Sequence, residues 1–319
     1  MGIGFVQTRN HSGRTHIAVF RTFLERVKQR VRPKPPHAAR RWEVIAPSDE
    51  NKFYQLAACL IFKNEADYLN EWINFHRLVG VEKFFLYNNN SEDDYERVLG
   101  PYVAEGVVTL HDMPIRHPSA QVEAYNSCLR TYRRHARWIA FIDIDEFLCA
   151  PEDDSVLNVL RDYDQYPAIA LNWLMFCTSG HILKPEGLVI ENYTRCQAGG
   201  NRHVRLITNP LKTERFVSAH EAIYYDGRYA VNEGREEVRG PYSTPPSIAR
   251  LRVNHYWTRS VEEYFLKKLS RGDVTGVTSL RDIEGLLLAE RDYNTGDDYA
   301  IQRFTARVKS VSAQFANRS

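Results

Sequence analysis

Short apolar runs alternate with amphipathic segments along most of the chain from residue 56 onward. The apolar runs, each about the length of one strand, cover residues 56–62, 83–87, 107–111, 138–142 and 168–176. The segments between them carry apolar residues at spacings of three and four, which predicts helices over 66–79, 91–99, 119–134 and 155–163. This alternation predicts an α/β fold with a mostly parallel sheet and helices on both faces.

The N-terminal segment has a different pattern. Apolar side chains at helical spacing, with cations between them, predict a basic amphipathic helix over residues 17–31, and the Pro-Lys-Pro-Pro stretch at 33–36 ends it. Such a helix can lie on an anionic membrane surface, and a solvated tail is the equally weighted alternative. We divide the chain into a tail (1–50), a main α/β domain (51–275) and a C-terminal helical extension (276–319).

Charge and composition narrow the class of protein. Residues 1–41 contain ten Lys or Arg and one acid, a net charge of +9, whereas the whole chain carries +2, so the remainder is near −7. Basic charge confined to a tail is not typical of a nucleic-acid-binding domain, and we expect no nucleic-acid partner. The five scattered cysteines favour a reducing compartment. We expect a cytoplasmic protein with residues 17–31 on the inner face of the membrane.

An acidic pair, Asp143 and Asp145, directly follows the strand predicted at 138–142. Ligands of parallel α/β sheets bind at the carboxyl ends of the strands, where this pair emerges. Carboxylates held in this way suit Mg²⁺ or Mn²⁺ bridged to a diphosphate. A solvated acidic loop is the alternative, but the preceding strand and the apolar Phe147 and Leu148 favour the metal site.

Polar residues also follow the first two predicted strands. Lys63, Asn64 and Glu65 come after the first strand, where the base and ribose of a nucleotide would lie, and Asn88 and Asp93 come after the second. Their side chains suit hydrogen bonds to a nucleotide. Helix capping and turn formation are the alternative roles.

The order of these motifs resembles glycosyltransferase family 92 over residues 56–275. The motifs that carry the resemblance are Lys63-Asn64-Glu65, Glu71-Trp72 with His76, Tyr87-Asn88 with Ser91 and Asp93, Gln121 before the helix that contains Cys128, Asp143-Ile144-Asp145-Glu146-Phe147, Asn172-Trp173 with Phe176, Thr178-Ser179-Gly180-His181, and Asn254-His255-Tyr256-Trp257 with Ser260, Glu263, Lys267 and Arg271-Gly272. Cys177 departs from the pattern, which has Gly there. The basic tail resembles a bacterial-type member.

The resemblance implies a GT-A (Rossmann-like) fold and metal-dependent transfer of a hexose, with inversion. The donor would be a UDP-sugar, UDP-galactose first, and the acceptor a glycan, glycoconjugate or lipid-linked glycan. Mn²⁺ or Mg²⁺ would be bound by Asp143, Asp145 and a downstream histidine, His255 or His220. We favour His255 because it follows a strand-like segment at 248–253. Donor binding would further involve Gln121, Trp173 and Ser179.

The general base that takes the proton of the acceptor hydroxyl stays open among Glu221, His181 and Asp226. His76 lies on the apolar face of its predicted helix, and we expect it to be a core histidine rather than a ligand.

Two other classes of function remain as alternatives. A nucleotidyltransferase should have a glycine-rich phosphate loop with a cation after the first strand, but that position holds Lys63, Asn64 and Glu65. A non-catalytic carbohydrate-binding or scaffold protein would need neither the acidic pair nor the downstream histidine. Both therefore explain the chain less completely than a glycosyltransferase.

Overall fold

The computed structural model describes residues 53–115, 117, 119–270 and 280–316. The helices are α1 (Ala66–Leu78), α2 (Tyr95–Ala104), α3 (Ala120–Tyr132), α4 (Val156–Leu160), α5 (Val189–Asn192), α6 (Val261–Ser270), α7 (Leu280–Tyr293) and α8 (Thr305–Ala316). The strands are β1 (Tyr54–Phe62), β2 (Lys83–Asn88), β3 (Val108–Asp112), β4 (Ala136–Phe141), β5 (Glu146–Cys149), β6 (Ala168–Met175), β7 (Arg195–Cys196), β8 (Asn201–Thr208), β9 (Thr213–Ser218), β10 (Glu221–Tyr224), β11 (Ala230–Val231), β12 (Glu237–Val238), β13 (Arg252–His255) and β14 (Gly296–Asp297). The predicted alternation of strands and helices is confirmed.

The central sheet has the order β12-β11-β6-β8-β4-β1-β2-β3. Strands β3, β2, β1 and β4 are parallel, so their carboxyl ends lie at one edge. Strand β8 is antiparallel to both of its neighbours, β4 and β6. Strand β13 pairs with β6 in parallel and with β5 antiparallel, which brings the segment around residue 255 to the acidic turn.

Strand β1 is buried on both faces because helices cover both sides of the sheet. Leu56, Ala58 and Leu60 belong to the apolar cluster that contains the inner face of α1. Ala57 and Cys59 point the other way, into the cluster that contains the apolar residues of α3. Because successive side chains of a strand point to opposite faces, β1 contributes to two separate hydrophobic cores. The expected mixed α/β architecture with helices on both faces is confirmed.

The C-terminal residues pack against the main domain. Phe304 and Val308 are buried in the same cluster as α1, and the rings of Phe304 and Phe75 lie 5.5 Å apart. The helices expected after residue 276 are present as α7 and α8. The tail assigned to residues 1–50 lies outside the described residues. Among the residues that are described, no helix is long and apolar enough to cross a membrane.

Two predicted elements begin later than expected. The helix expected from residue 91 begins at Tyr95, because the Ser91 hydroxyl accepts a bond from the Asn64 amide instead of capping. The strand expected at 248–253 begins only at Arg252. Before it, the carboxylate of Glu233 accepts the backbone N–H groups of residues 249–251, so these groups are not available to a neighbouring strand.

Candidate active site

Helix α1 fixes the turn that carries the acids. The indole N–H of Trp72 donates to the carbonyl oxygens of Asp143 and Glu146, at 3.1 and 2.9 Å. One turn later on the same helix, His76 is buried. Its Nδ1 bonds to the Trp72 carbonyl and its Nε2 accepts from the Leu148 amide, so it is the core histidine that was expected. These bonds hold residues 143–148 at the carboxyl end of β4.

Asp143 is held by a cation and an amide. Gln121 Nε2 donates to Asp143 Oδ1 at 2.6 Å, and Arg205 Nη2 contacts Oδ2. The Arg205 Nε also lies 2.8 Å from both carboxylate oxygens of Glu146. A buried arginine on β8 therefore neutralises two acids, and Asp143 keeps a side chain that is 29% exposed.

Asp145 faces the opposite direction, towards β13 and α6. His255 Nε2 lies 3.6 Å from Asp145 Oδ2, and Lys267 Nζ contacts the same oxygen. Burial opposes ionisation of this carboxyl, but Lys267 and His255 outweigh burial and hold the pKa of Asp145 well below its usual range. The carboxylate is therefore ionised at neutral pH, as a metal ligand must be.

The residues around Asp145 fit a divalent cation. His255 Nδ1 is buried without a hydrogen-bond partner and lies 3.9 Å from Glu146 Oε1, while Nε2 faces Asp145. Glu146 thus lies behind Nδ1 but beyond hydrogen-bond distance, and Nε2 is the ring nitrogen directed at Asp145. Within the described ranges no group of three His, Cys, Asp or Glu side chains could hold an ion alone. Asp145 and His255 are the residues that could bind such an ion, and a substrate diphosphate and water would complete the set.

Trp173 on β6 connects this pair with a second histidine. Its ring lies 4.5 Å from the His255 ring and 5.2 Å from the His220 ring. Burial and the neighbouring Arg205 lower the pKa of His220 to about 4, so its ring is neutral at pH 7. The His220 Nδ1 bonds to the Val204 carbonyl at 2.9 Å. Trp173 is nearly buried, and its indole N–H has no partner.

The polar residues after β1 and β2 hold the two loops together. Asn64 accepts from the Glu92 amide at 2.7 Å, and Asp93 accepts from the Ala66 amide at 2.7 Å. The Asn88 side chain accepts from the Ser91 amide and donates to the Tyr95 hydroxyl and the Asp112 carboxylate. Lys63 is exposed. The Asp93 Oδ1 is buried without a partner. Nucleotide contacts by these four residues stay a prediction.

Arg259 was not anticipated from the sequence. It is buried, and its Nη1 lies 3.5 Å from Glu65 Oε2, while its guanidinium stacks 3.4 Å from the centre of the Tyr68 ring. Among the described residues, none forms a hydrogen bond with its Nε or Nη2. Arg259 is also among the cations that lower the pKa of Asp145. The signal in the sequence was weak: a cation four positions after His255, in the same run of motifs.

The three candidate bases lie in different places. Glu221 is half-buried at the start of β10, next to His220. Asp226 is exposed in the following turn, with a left-handed φ of 62°. His181 Nε2 bonds to the Asn192 carbonyl at 3.2 Å. Nearby, Ser179 Oγ accepts the amides of residues 194 and 195, so this hydroxyl organises its own loop.

Comparison with solved structures gave matches of low similarity. One is the TarS protein of Staphylococcus aureus (residues 1–349), with 10% identity, a TM-score of 0.36, and coverage of 73% of this chain and 69% of that one. Another is glucosyl-3-phosphoglycerate synthase of Mycobacterium tuberculosis in complex with Mn²⁺, UDP and its product, with 15% identity, a TM-score of 0.26, and coverage of 38% and 44%.

Sequence relatives are closer. A family 92 glycosyltransferase of Oryza sativa subsp. japonica is 29% identical over 240 residues, which are 74% of this chain and 38% of that protein. A galactan β-1,4-galactosyltransferase of Arabidopsis thaliana, GALS2, is 32% identical over 107 residues, 31% of this chain and 20% of that protein. The chain thus spans little more than a third of the length of the rice relative. The sequence profile of glycosyltransferase family 92 matches residues 54–267, and this protein belongs to that family.

Proposed function

We propose that this protein is a metal-dependent galactosyltransferase that uses UDP-galactose as its donor. The observation that carries the proposal is the pairing of ionised Asp145 with His255, at the carboxyl end of the central strands of a family 92 chain. Three relatives named as galactan β-1,4-galactosyltransferases favour galactose over other hexoses.

Asp145 and His255 would hold Mn²⁺ or Mg²⁺. When bound, the ion stabilises negative charge on the departing diphosphate. Lys267 contacts Asp145, and Arg259 is among the cations that lower its pKa, so both would lie near the phosphate oxygens of the donor. Two nitrogens of the Arg259 guanidinium are buried and unpaired, which is costly unless an anion binds there.

Asp143 would contact the donor rather than hold the ion alone. Arg205 and Gln121 already occupy its two carboxylate oxygens and fix the orientation of the group. Because Asp143 remains partly exposed, it can still accept a hydrogen bond from the ribose. Trp173, whose ring lies 4.5 Å from that of His255, would lie beside the galactose.

Glu221 is the base that the arrangement favours. In a single displacement the acceptor oxygen forms a bond to C1 of galactose, the bond from C1 to the diphosphate oxygen breaks, and the acceptor hydroxyl proton passes to the base. Glu221 adjoins His220, which contacts Trp173. Asp226 points into an exposed turn and His181 is bonded to the backbone.

A donor assay tests the proposal. The full chain is incubated with UDP-galactose or other UDP-hexoses, with Mn²⁺ or with EDTA, and released UDP is measured. We expect Mn²⁺-dependent release from UDP-galactose, and loss of that release in Asp145→Asn with the fold retained by circular dichroism. Release that is unaffected by EDTA, or full activity in Asp145→Asn, would overturn the metal mechanism.

A further inference from the structure

A cleft beside His220 is not used by the donor site described above. It has a volume of ≈ 250 Å³ and lies between the β9–β10 hairpin and the short strands β11 and β12. Its lining includes His220, Glu221, Tyr224, Arg228, Tyr229 and Arg239. The lining also includes apolar residues of β8, β11 and β12.

The cleft adjoins the candidate active site across a row of packed aromatic rings. His220 belongs to both, because it lines the cleft and its ring lies 5.2 Å from Trp173. The ring of Trp173 lies 4.5 Å from His255, which pairs with Asp145. A molecule in the cleft would therefore meet the reaction centre at its His220–Glu221 end.

The chemistry of the lining suits a neutral sugar. Glu221 can accept hydrogen bonds from sugar hydroxyls, and Arg228 can donate them. The positive charge of Arg239 is already paired with Glu237 at 3.0 Å. Mixed donors and acceptors beside apolar residues match a pyranose, which has hydroxyls on its rim and C–H groups on its faces. The cleft lies slightly below the range of about 300–1,000 Å³ typical of drug-sized ligands, as expected for a site that takes one sugar unit.

We propose that this cleft is the acceptor subsite and holds the terminal neutral pyranose of a glycan, with the reacting hydroxyl towards Glu221. The inference rests on the proposed galactosyl transfer, and it specifies the binding position and the chemical class of the acceptor. In the transfer, the oxygen of that hydroxyl bonds to C1 of galactose, UDP leaves with the electrons of the cleaved bond, and the proton moves to Glu221.

Two variants test the subsite. Ala222 lines the cleft and Ala222→Trp would fill it, while Tyr229→Ala removes an exposed wall residue and leaves the core intact. The control is Leu211→Trp, an exposed turn residue outside the lining. The probes are β-1,4-galactotetraose and the charged trigalacturonic acid, with binding followed by NMR titration and UDP-galactose binding with Mn²⁺ measured by calorimetry.

We expect wild type and the control to bind galactotetraose, and both cleft variants to bind it at least tenfold more weakly with unchanged affinity for UDP-galactose. Galactotetraose that does not bind wild type, binding that survives in both variants, or tighter binding of trigalacturonic acid would each overturn the proposal. These binding readouts do not require turnover. A wild-type protein that binds galactotetraose in the cleft but releases no UDP would contradict the proposed function while leaving the cleft a sugar site.

Discussion

The Nε2 of His255 lies 3.6 Å from Oδ2 of Asp145, although 110 residues separate the two in sequence. Strand β13 produces this approach, because it pairs with β5 immediately after the acidic turn, with His255 opposite Glu146. The pairing of β13 with β5 thus brings the Asp145 carboxylate and the His255 imidazole together. Asp145, in the turn that leads into β5, and His255, on β13, would form a preorganised half of a metal site.

Lys267 competes with a metal ion for Asp145, since its ammonium contacts Oδ2 of that carboxylate. We predict that Lys267→Met increases the affinity of the donor-free protein for Mn²⁺ by about tenfold or more, since a competing charge of the same sign is removed. Electron paramagnetic resonance of free Mn²⁺ measures this directly. Lys309→Met, which removes an exposed lysine paired with Glu191, is the control. Equal Mn²⁺ affinity in wild type and Lys267→Met would mean that the ammonium does not occupy the ion's position.

Arg259 is predicted to bind the diphosphate of the donor. Arg259→Gln removes its charged donors, and hydrogen bonds to charged groups contribute about 1.5–3 kcal/mol each. We therefore expect the Kd of UDP in the presence of Mn²⁺ to rise at least tenfold by calorimetry, with partial recovery in Arg259→Lys. Arg97→Gln, at an exposed ion pair, should change nothing. A lower melting temperature with an unchanged Kd would assign Arg259 a structural role instead.

The buried histidines predict a loss of stability in acid. Burial lowers the pKa of His76 to about 3 and, with Arg205, that of His220 to about 4, whereas an unfolded histidine titrates near 6.5. Below pH 6.5 only the unfolded chain binds these protons, so the stabilisation is complete above that pH and is lost as the pH falls towards the folded values. Each group contributes up to about 1.4 kcal/mol per pH unit.

Urea unfolding at several pH values between 7 and 4.5 tests this effect. The free energy of unfolding of wild type should fall more steeply with decreasing pH than that of His76→Gln, which keeps a polar side chain but cannot titrate. Parallel curves for the two proteins would show that His76 is not held neutral by burial.

The sequence predicted the first half of the domain well and the second half poorly. Strands β1 to β4 are continuous apolar runs separated by amphipathic helices, so local periodicity was sufficient. Strands β11 and β12 are two residues long and carry no periodic signal. Arg205 is a charge inside a strand, and its role depends on β8 lying antiparallel beside β4, a long-range pairing that local pattern does not specify.

At the candidate site, too, the sequence predicted the positions of some residues but not the contacts of others. The position of Asp143 and Asp145 at a strand end followed from the apolar run before them, and the structure has them there. Asn64 and Asn88, chosen by the same rule, bond mainly to neighbouring loop backbone and side chains. Polar residues at strand ends can bond to nearby backbone groups or to a ligand. The sequence alone does not show which of the two a given residue does.

The N-terminal tail gives a separate prediction. We propose that residues 17–31 bind anionic membrane at the cytoplasmic face, and that deletion of residues 1–41, which carry a net charge of +9, abolishes cosedimentation with phosphatidylglycerol vesicles without reducing UDP release. Binding of the full chain should weaken as salt rises, because the Debye length is only about 8 Å at physiological ionic strength. Vesicle binding that persists after the deletion, or that does not respond to salt, would reject the electrostatic anchor.

The central claim is that Asp145 and His255 hold the metal, and the Mn²⁺ dependence of His255→Ala tests it most directly. UDP release from UDP-galactose is measured across a Mn²⁺ titration for wild type, His255→Ala and the comparison variant His220→Ala. We predict that His255→Ala raises the half-saturating Mn²⁺ concentration at least 10–100-fold, the effect of losing even an outer partner of a metal site. His220→Ala should leave the Mn²⁺ requirement unchanged. A reduced melting temperature in His255→Ala with an unaltered Mn²⁺ requirement, or a shift in His220→Ala alone, would contradict the assignment.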